Sequence, residues 1–418
     1  MDKFIIWNSS LKGEVEVSGS KNASLPIMAA TLLTDEECRI SGVPNLRDIH
    51  TMIKILEGLG KEIKFQDGTL IVKSKKSRSY TAPYPLVRTM RASFCVLGPL
   101  LAKRKKAKVS LPGGCVIGPR PVDLHIKGLR KLGANIKIER GYCLAEAKSL
   151  SARHIFLGGE FGSSVLATAN ILMASTLAKG ETIIESSACE PEIVDLASFL
   201  KKMGAEIIGE GTPLIRVRGK KSLGGAEFTV IPDRIEAGTF LAASLATYSP
   251  LTIKNTNPLH LTSVIEIAKK MGASVKVNSF SLFIKPPSYI KPVSITTLPY
   301  PGFPTDLQAQ FMVPLSLAKG VSLVTEKVFP DRFMHVAELN RMGAKISRSG
   351  PYAIIEGVGS LYGAEVMASD LRASAALVIA GLAAQGKTEV LRIYHLDRGY
   401  FHLEEKLKKL GAKIKRER

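Results

Sequence analysis

The chain has 418 residues, 45% apolar and 23% charged, with 58 basic against 37 acidic side chains for a net charge of +21. That length suits two or three domains at about 150 residues each, and the composition is that of an ordinary globular protein rather than a disordered or fibrous one. The start, Met1-Asp-Lys-Phe-Ile-Ile-Trp-Asn, has no long apolar signal core and no run reaches the ~18 apolar residues that span a bilayer, so a cytoplasmic location without membrane insertion is expected.

From the amino end, Glu16-Val-Ser-Gly-Ser-Lys21-Asn22-Ala-Ser-Leu25 reads as strand, polar turn and small-residue helix. The helix, with Ala29-Ala-Thr-Leu-Leu33, has counterparts at Pro99-Leu-Leu-Ala102, Ala174-Ser-Thr-Leu-Ala-Lys-Gly180, Ala242-Ala-Ser-Leu-Ala246, Pro314-Leu-Ser-Leu-Ala-Lys-Gly320 and Ala380-Gly-Leu-Ala-Ala384. About half a unit later comes a second phrase: Leu59-Gly60, Leu132-Gly133, Met203-Gly204, Met271-Gly272, Met342-Gly343 and Leu410-Gly411. Each closes an amphipathic pattern and leads into a β-prone run such as Ile136-Lys-Ile138, so the glycine reads as a helix stop. The chain is therefore one unit of helix, strand, helix, strand, written six times. Units of about 70 residues are too long for a solenoid, and small residues on the first helix suit close packing in a layered domain. Three units per domain gives two similar halves. The seam is placed near residue 230, where Glu227-Phe-Thr-Val-Ile-Pro-Asp-Arg234 repeats the opening of the first half.

The turn into each first helix carries Lys21 and Asn22, Arg91, Ser163 and Ser164, Arg234 and Glu236, Asp306, or Asp370 and Arg372. Helix amino termini offer unpaired N–H groups and partial positive charge, which suits serine, asparagine and aspartate caps. Lysine and arginine oppose that dipole, so Lys21, Arg91, Arg234 and Arg372 call for an anion or an acidic partner.

Inside the second repeat, between its two phrases, lies Leu111-Pro-Gly-Gly-Cys115-Val-Ile-Gly-Pro-Arg120-Pro121-Val122-Asp123-Leu124-His125. Its glycines and prolines forbid a regular helix or central strand and put Cys115 on a loop, with Arg120 near enough to lower its pKa. A small buried hydrophobe is the other reading of such a cysteine. Glu190-Pro-Glu192-Ile-Val-Asp195 is read first as acid favoured at a helix start. Phe329-Pro-Asp331-Arg332-Phe-Met-His335 and Arg392-Ile-Tyr-His395-Leu-Asp397-Arg398-Gly399-Tyr400 pack arginine, acid, histidine and aromatic densely, as an ion-pair network or an anion cradle would.

Several classes are disfavoured. Ser18-Gly-Ser-Lys21 lacks the spacing of a nucleotide-hydrolysing phosphate loop, and no Gly-x-Gly-x-x-Gly follows a strand. The five cysteines form no Cys-x-x-Cys pair and the seven histidines no ligand cluster, so neither metal nor cofactor is expected. The densest basic runs, 73–78, 103–108 and 413–418, fall in predicted connections or at the end, with no aromatics between them, which makes nucleic acid a poor partner.

Together Gly19-Ser-Lys21-Asn22-Ala, Thr89-Met-Arg91-Ala-Ser, the Cys115 loop through His125, Phe303-Pro-Thr-Asp306-Leu-Gln-Ala-Gln310, Arg332-Phe-Met-His335, Asp370-Leu-Arg372-Ala-Ser and Tyr394-His-Leu-Asp-Arg398-Gly-Tyr400 resemble the enolpyruvyl transferases over the whole chain. The resemblance implies an α/β fold of two inside-out barrels, three βαβ-like units each, with residues 1–21 joining 230–418 and 22–229 forming the other domain. It implies an active site between them and a cysteine loop acting as a lid. The cysteine loop, absent from the shikimate branch, points to UDP-N-acetylglucosamine as acceptor and phosphoenolpyruvate as donor, in peptidoglycan precursor synthesis, with no obligate protein partner. By resemblance Cys115 is the proton donor, Asp306 the base toward the sugar 3-hydroxyl, and Lys21, Arg120 and Arg398 clamp phosphoenolpyruvate. Arg91, Arg120, Pro121, Val122, Asp123, Leu124, Ser164, Val165, Asp306 and Val328 would contact the nucleotide, and Asn22, Arg332, Asp370 and Arg372 would shape the phosphoenolpyruvate side. An epoxide antibiotic, fosfomycin, would alkylate the cysteine. The chain departs from the family pattern at Leu166, where glycine is usual, and at Cys189, where arginine is frequent.

Overall fold

The glycine phrase that ends the second helix of every repeat works through its backbone. In the structure, a computed structural model describing residues 2–75, 79–112, 122–160 and 162–417, Gly60, Gly133, Gly204, Gly272, Gly343 and Gly411 have φ of 90°, 98°, 100°, 102°, 91° and 96°. That left-handed conformation costs an L side chain energy but glycine nothing, so each helix stops there. In the last five repeats the following alanine N–H reaches back to close the cap, as Ala134 does to the Leu129 carbonyl at 3.1 Å. The helices so ended are Arg47–Gly58, Asp123–Lys131, Pro191–Lys202, Thr262–Lys270, His335–Arg341 and Leu403–Lys409.

The unit is richer than the helix, strand, helix, strand expected from sequence. Each runs strand, buried helix, strand, amphipathic helix and then a two-stranded hairpin, because the β-prone run after the glycine turns back on itself: Asn135–Glu139 pairs antiparallel with Tyr142–Glu146. The result is six four-stranded sheets of one topology, a parallel pair at one edge and antiparallel pairs beyond it. His154–Phe156, for example, runs parallel to Glu181–Glu185, which is antiparallel to Leu214–Arg218.

Backbone contacts divide the described residues into two compact units, one of 1–18 with 232–418 and one of those between 19 and 231, each holding three sheets. Two strands make the exchange. Gly13–Glu16 lies parallel to Leu251–Lys254, and Glu227–Thr229 lies parallel to Cys38–Ser41, whereas elsewhere a repeat supplies its own parallel pair. Lys3–Trp7 sits between Lys387–Leu391 and Ile414–Glu417, so the first strand completes the last sheet.

Within each unit the first helices form the centre and the sheets the outside, an inside-out α/β barrel. In the first unit, helices Arg234–Ala246, Gln308–Ser316 and Leu371–Ala383 pack on one another, and the first two are buried along their whole length. In the other, Val165–Ser175 packs on both Leu97–Arg104 and Lys21–Ala30, and Lys21–Ala30 also meets the turn Arg91–Val96 that leads into Leu97–Arg104. Small residues permit this: a Cβ on Gly98 would stand 2.3 Å from the Asn170 carbonyl oxygen, and one on Gly238 would stand 2.2 Å from Leu307 Cδ1. Helices with apolar residues all round belong in such a position.

The basic runs at 103–108 and 413–418, read from sequence as a connection and a chain end, carry strand residues. Lys106–Ser110 and Ile414–Glu417 are strands, and Thr69–Ser74 reaches into the first run. Alternation along a strand lets one face carry lysine or arginine while the other is buried, a pattern that charge density alone does not reveal.

Candidate active site

Asp306 is placed by three elements of the 1–18/232–418 unit. It occupies a single turn, Thr305–Leu307, set by Pro304 just before helix Gln308–Ser316. Arg332, from the loop after strand Val321–Glu326, donates through Nη1 to Asp306 Oδ1 at 2.8 Å. Arg372 lies in the first turn of helix Leu371–Ala383, whose N-cap Asp370 accepts from the Arg372 and Ala373 amides, and its Nη2 meets Asp306 Oδ2 at 2.8 Å. Burial alone would push the Asp306 carboxyl up, but the Arg372 and Arg332 guanidiniums override it and hold it well below the usual carboxylate range. The carboxylate is still open, at 27% exposure, while the two arginine side chains are 3% and 7% exposed.

This cluster is not closed on itself. Among the described residues, Nε and Nη1 of Arg372 are buried without an acceptor in hydrogen-bonding geometry, and the guanidinium faces Tyr400, 5.4 Å from its ring centre, where burial raises the phenol's pKa and the guanidinium partly offsets that rise. Both ends of the Gln308 amide and Oε1 of Gln310 are likewise buried without partners among the described residues, while Gln310 Nε2 donates to the Asp306 carbonyl at 2.8 Å and the Tyr400 hydroxyl at 3.1 Å. Buried donors and acceptors left over around an accessible carboxylate are what a polar, anionic ligand or ordered water would satisfy.

Glu326, which sequence reasoning missed, underlies the cluster. Fully buried, it accepts from Thr297 Oγ1 at 2.6 Å, from the Val328 and Phe329 amides at 2.9 Å each, and from Thr305 Oγ1 at 2.9 Å. A signal existed: Ser322, Val324 and Glu326 alternate inward along strand Val321–Glu326. Asp370 and Val328 are half-buried, and Arg398 closes the turn Ile393–Arg398 half-buried. His335 is core: burial lowers its imidazole to about 4, and Nε2 lies 3.1 Å from Met312 Sδ.

In the 19–231 unit, Lys21 opens helix Lys21–Ala30 behind the Ser20 cap and lies 3.4 Å from the buried Asp48 carboxylate, so the acid partner expected from its place at a helix start is present. Asn22 beside it is half-buried. Arg91 opens the turn Arg91–Val96, and Ser164 caps helix Val165–Ser175 by accepting from the Ala167 amide at 3.3 Å. Val122, Asp123 and Leu124 lead into helix Asp123–Lys131. Asn170 ties these starts together. It accepts from the Gly98 amide at 2.7 Å and uses Nδ2 on the Phe94 carbonyl at 3.0 Å and His125 Nδ1 at 2.8 Å. Burial, assisted by Arg91, lowers His125 to about 3, so it is neutral at pH 7. Arg234, the remaining cation singled out at a helix start, belongs to the other unit and lies 5.6 Å from the Tyr300 ring centre.

Cys115, Arg120 and Pro121 lie outside the described residues. The other cysteines are protonated at pH 7: burial pushes Cys95 up to about 12 and Cys143 to about 11, and raises Cys38 and Cys189. Helix Pro191–Lys202 starts at Pro191 with Glu192 in its first turn, as the acid-at-helix-start reading requires. Among the described residues no helix is long and apolar enough to cross a membrane.

The chain is 52% identical to the UDP-N-acetylglucosamine 1-carboxyvinyltransferase of Methylacidiphilum infernorum, covering 100% of this chain and 99% of that one. It is 53% identical to UDP-N-acetylglucosamine 1-carboxyvinyltransferase 2 of Carboxydothermus hydrogenoformans, with the same coverage. The crystal structure of the enolpyruvyl transferase NikO from Streptomyces tendae shares the fold, with a TM-score of 0.90 at 24% identity over 99% of this chain and 98% of that one. Residues 7–407 match the family of EPSP synthase (3-phosphoshikimate 1-carboxyvinyltransferase), and the chain belongs to that family of enolpyruvyl transferases.

Proposed function

We propose that the protein transfers the enolpyruvyl group of phosphoenolpyruvate to the 3-hydroxyl of UDP-N-acetylglucosamine, releasing phosphate, as a cytoplasmic enzyme of peptidoglycan precursor synthesis. The observation that carries this choice of acceptor is the full-length identity of 52–53% to relatives named for that reaction. The reaction is an addition followed by an elimination. Carbon 3 of the enol gains a proton from the Cys115 thiol while the sugar oxygen bonds to carbon 2 and yields its proton to Asp306. The carbon 2–phosphate bond then breaks and carbon 3 returns a proton, restoring the double bond.

The Asp306 cluster fits this work in a definite way. Clamped between two guanidiniums, its carboxylate is ionised but a weak base, since a base works best with a pKa near the operating pH. An incoming phosphate or carboxylate competes for those same cations, and Arg372 has Nε and Nη1 to offer it. Drawing Arg372 or Arg332 toward the substrate raises the basicity of Asp306 when the sugar hydroxyl needs it. Lys21, Arg120 and Arg398 hold phosphoenolpyruvate, with Asn22 and Asp370 shaping its surroundings. Arg91, Pro121 to Leu124, Ser164, Val165 and Val328 contact the nucleotide. Fixed cations stabilise the charge that develops as phosphate leaves.

Asp306→Asn keeps the shape but accepts no proton. Measured by phosphate release with both substrates, kcat is expected to fall by about 1,000-fold, the scale for removing a base together with the charge it carries. An Asp306→Asn enzyme with parental kcat removes Asp306 from the mechanism.

A further inference from the structure

Glu326 is a buried carboxylate whose two oxygens do different things. Oε1 collects the Thr297 hydroxyl and the Val328 and Phe329 amides, so it fixes the backbone of the loop that carries Val328. Oε2 takes only the Thr305 hydroxyl among the described bonds. That bond dictates where the Thr305 hydrogen points, and so leaves its lone pairs facing Arg332, whose Nη1 donates to Thr305 Oγ1 at 3.1 Å and to Asp306 Oδ1 at 2.8 Å. A hydroxyl has one hydrogen and two acceptor positions, so its orientation is set by whichever neighbour cannot donate. Glu326, whose carboxylate oxygens accept each of these bonds, is that neighbour.

We infer that Glu326 is a positioning residue with two arms, one reaching through Thr305 and Arg332 to orient the Asp306 carboxylate, the other holding the Val328–Phe329 backbone toward the nucleotide. The roles of Asp306 and Val328 rest on the function proposed above; the hydrogen-bond chain does not. Among the described residues Glu326 has no ionic partner, so what its carboxylate offers here is acceptor oxygens for hydroxyl and amide donors. Buried carboxylates of this kind hold loops and side chains in single geometries because every alternative leaves a polar group unsatisfied.

The two arms predict a split in kinetics that loss of stability does not. Thr305→Val cuts only the first arm: kcat is expected to fall about 10-fold or more while KM for UDP-N-acetylglucosamine is unchanged, because a base displaced by an ångström loses rate rather than binding. Thr305→Ser keeps the hydroxyl and should restore kcat. Glu326→Gln leaves one acceptor oxygen where there were two and puts a donor in the other place, so it weakens both arms, lowering kcat by a similar factor and raising the nucleotide KM. The double variant Thr305→Val/Glu326→Gln should be no slower in kcat than the worse single one, since the residues act in series. Rates are taken well below each variant's unfolding temperature. Parental kcat in Thr305→Val, or effects of the two substitutions that multiply, overturns the inference. Should Glu326→Gln fail to fold, the Thr305 pair carries the test. If the parent protein releases no phosphate with both substrates, the proposed function falls separately. The positioning claim is then read from a crystal structure of Thr305→Val, where Arg332 is expected to leave Asp306 and an unchanged 2.8 Å contact refutes it.

Discussion

Two buried polar networks are built on central helices, one in each unit, and they differ in whether they are finished. In the 19–231 unit Asn170 uses both ends of its amide, and its imidazole partner His125 is neutral. In the other unit Asp306 stands between two cations, with guanidinium and glutamine atoms left without partners. Folding alone explains the first, because both ends of the Asn170 amide and the His125 Nδ1 facing it are matched. The second has been assembled at the expense of stability, and what it leaves unmatched is what a ligand can use.

The sharpest way to break this contrast is to truncate both sites. Asp306→Ala leaves Arg332 and Arg372 facing each other, and should cost about 3 kcal/mol, the low end for stripping one partner from a buried pair because Asp306 is partly exposed. It should also abolish measurable phosphate release. Asn170→Ala orphans the Gly98 amide and the Phe94 carbonyl and should cost a similar ~3 kcal/mol in urea unfolding, lowering Tm by about 6–12 °C, yet leave kcat at a permissive temperature near the parental value. Equal losses of kcat in the two variants would erase the distinction between a structural and a functional network.

How much of this could be read from the sequence follows the same division. The repeat was legible because helix stops require glycine at one backbone position, and the same glycine recurs six times with φ between 90° and 102°. The hairpin after each stop was not, because Ile136-Lys-Ile138 looks alike whether the chain continues or turns back. Asp306, Arg332 and Arg372 stood out as charged residues in glycine- and proline-rich or helix-opening segments. Glu326 did not, since an acid at the end of a strand is normally solvated, and only the alternation of Ser322 and Val324 betrays its inward direction. Asn170, inside a helix of small apolar residues, reads from sequence as one polar residue among many.

A smaller effect sharpens the comparison through pH. Burial, partly offset by the Ile231 amide, raises Asp195 to about 7, while His125 is lowered to about 3. The folded state keeps a proton on Asp195 that the unfolded chain loses above its ordinary carboxylate pKa, so this residue's contribution improves as pH falls from 7 toward 4. His125 works oppositely: the unfolded imidazole gains a proton below about 6.5 that the folded one refuses, so stability is lost as pH falls through that range. Asp195→Asn keeps an acceptor for the Ile231 amide without the charge. Its Tm is expected to exceed the parent's at pH 8, with an advantage that shrinks as pH is lowered to 5. An advantage that grows on acidification contradicts the assignment.

The central claim is tested most directly by incubating the protein with phosphoenolpyruvate and either UDP-N-acetylglucosamine or shikimate 3-phosphate, and following both phosphate release and the mass of the acceptor. Phosphate should appear only with the sugar nucleotide, in step with an enolpyruvyl ether of it. Release with shikimate 3-phosphate alone, or from phosphoenolpyruvate without any acceptor, contradicts the account.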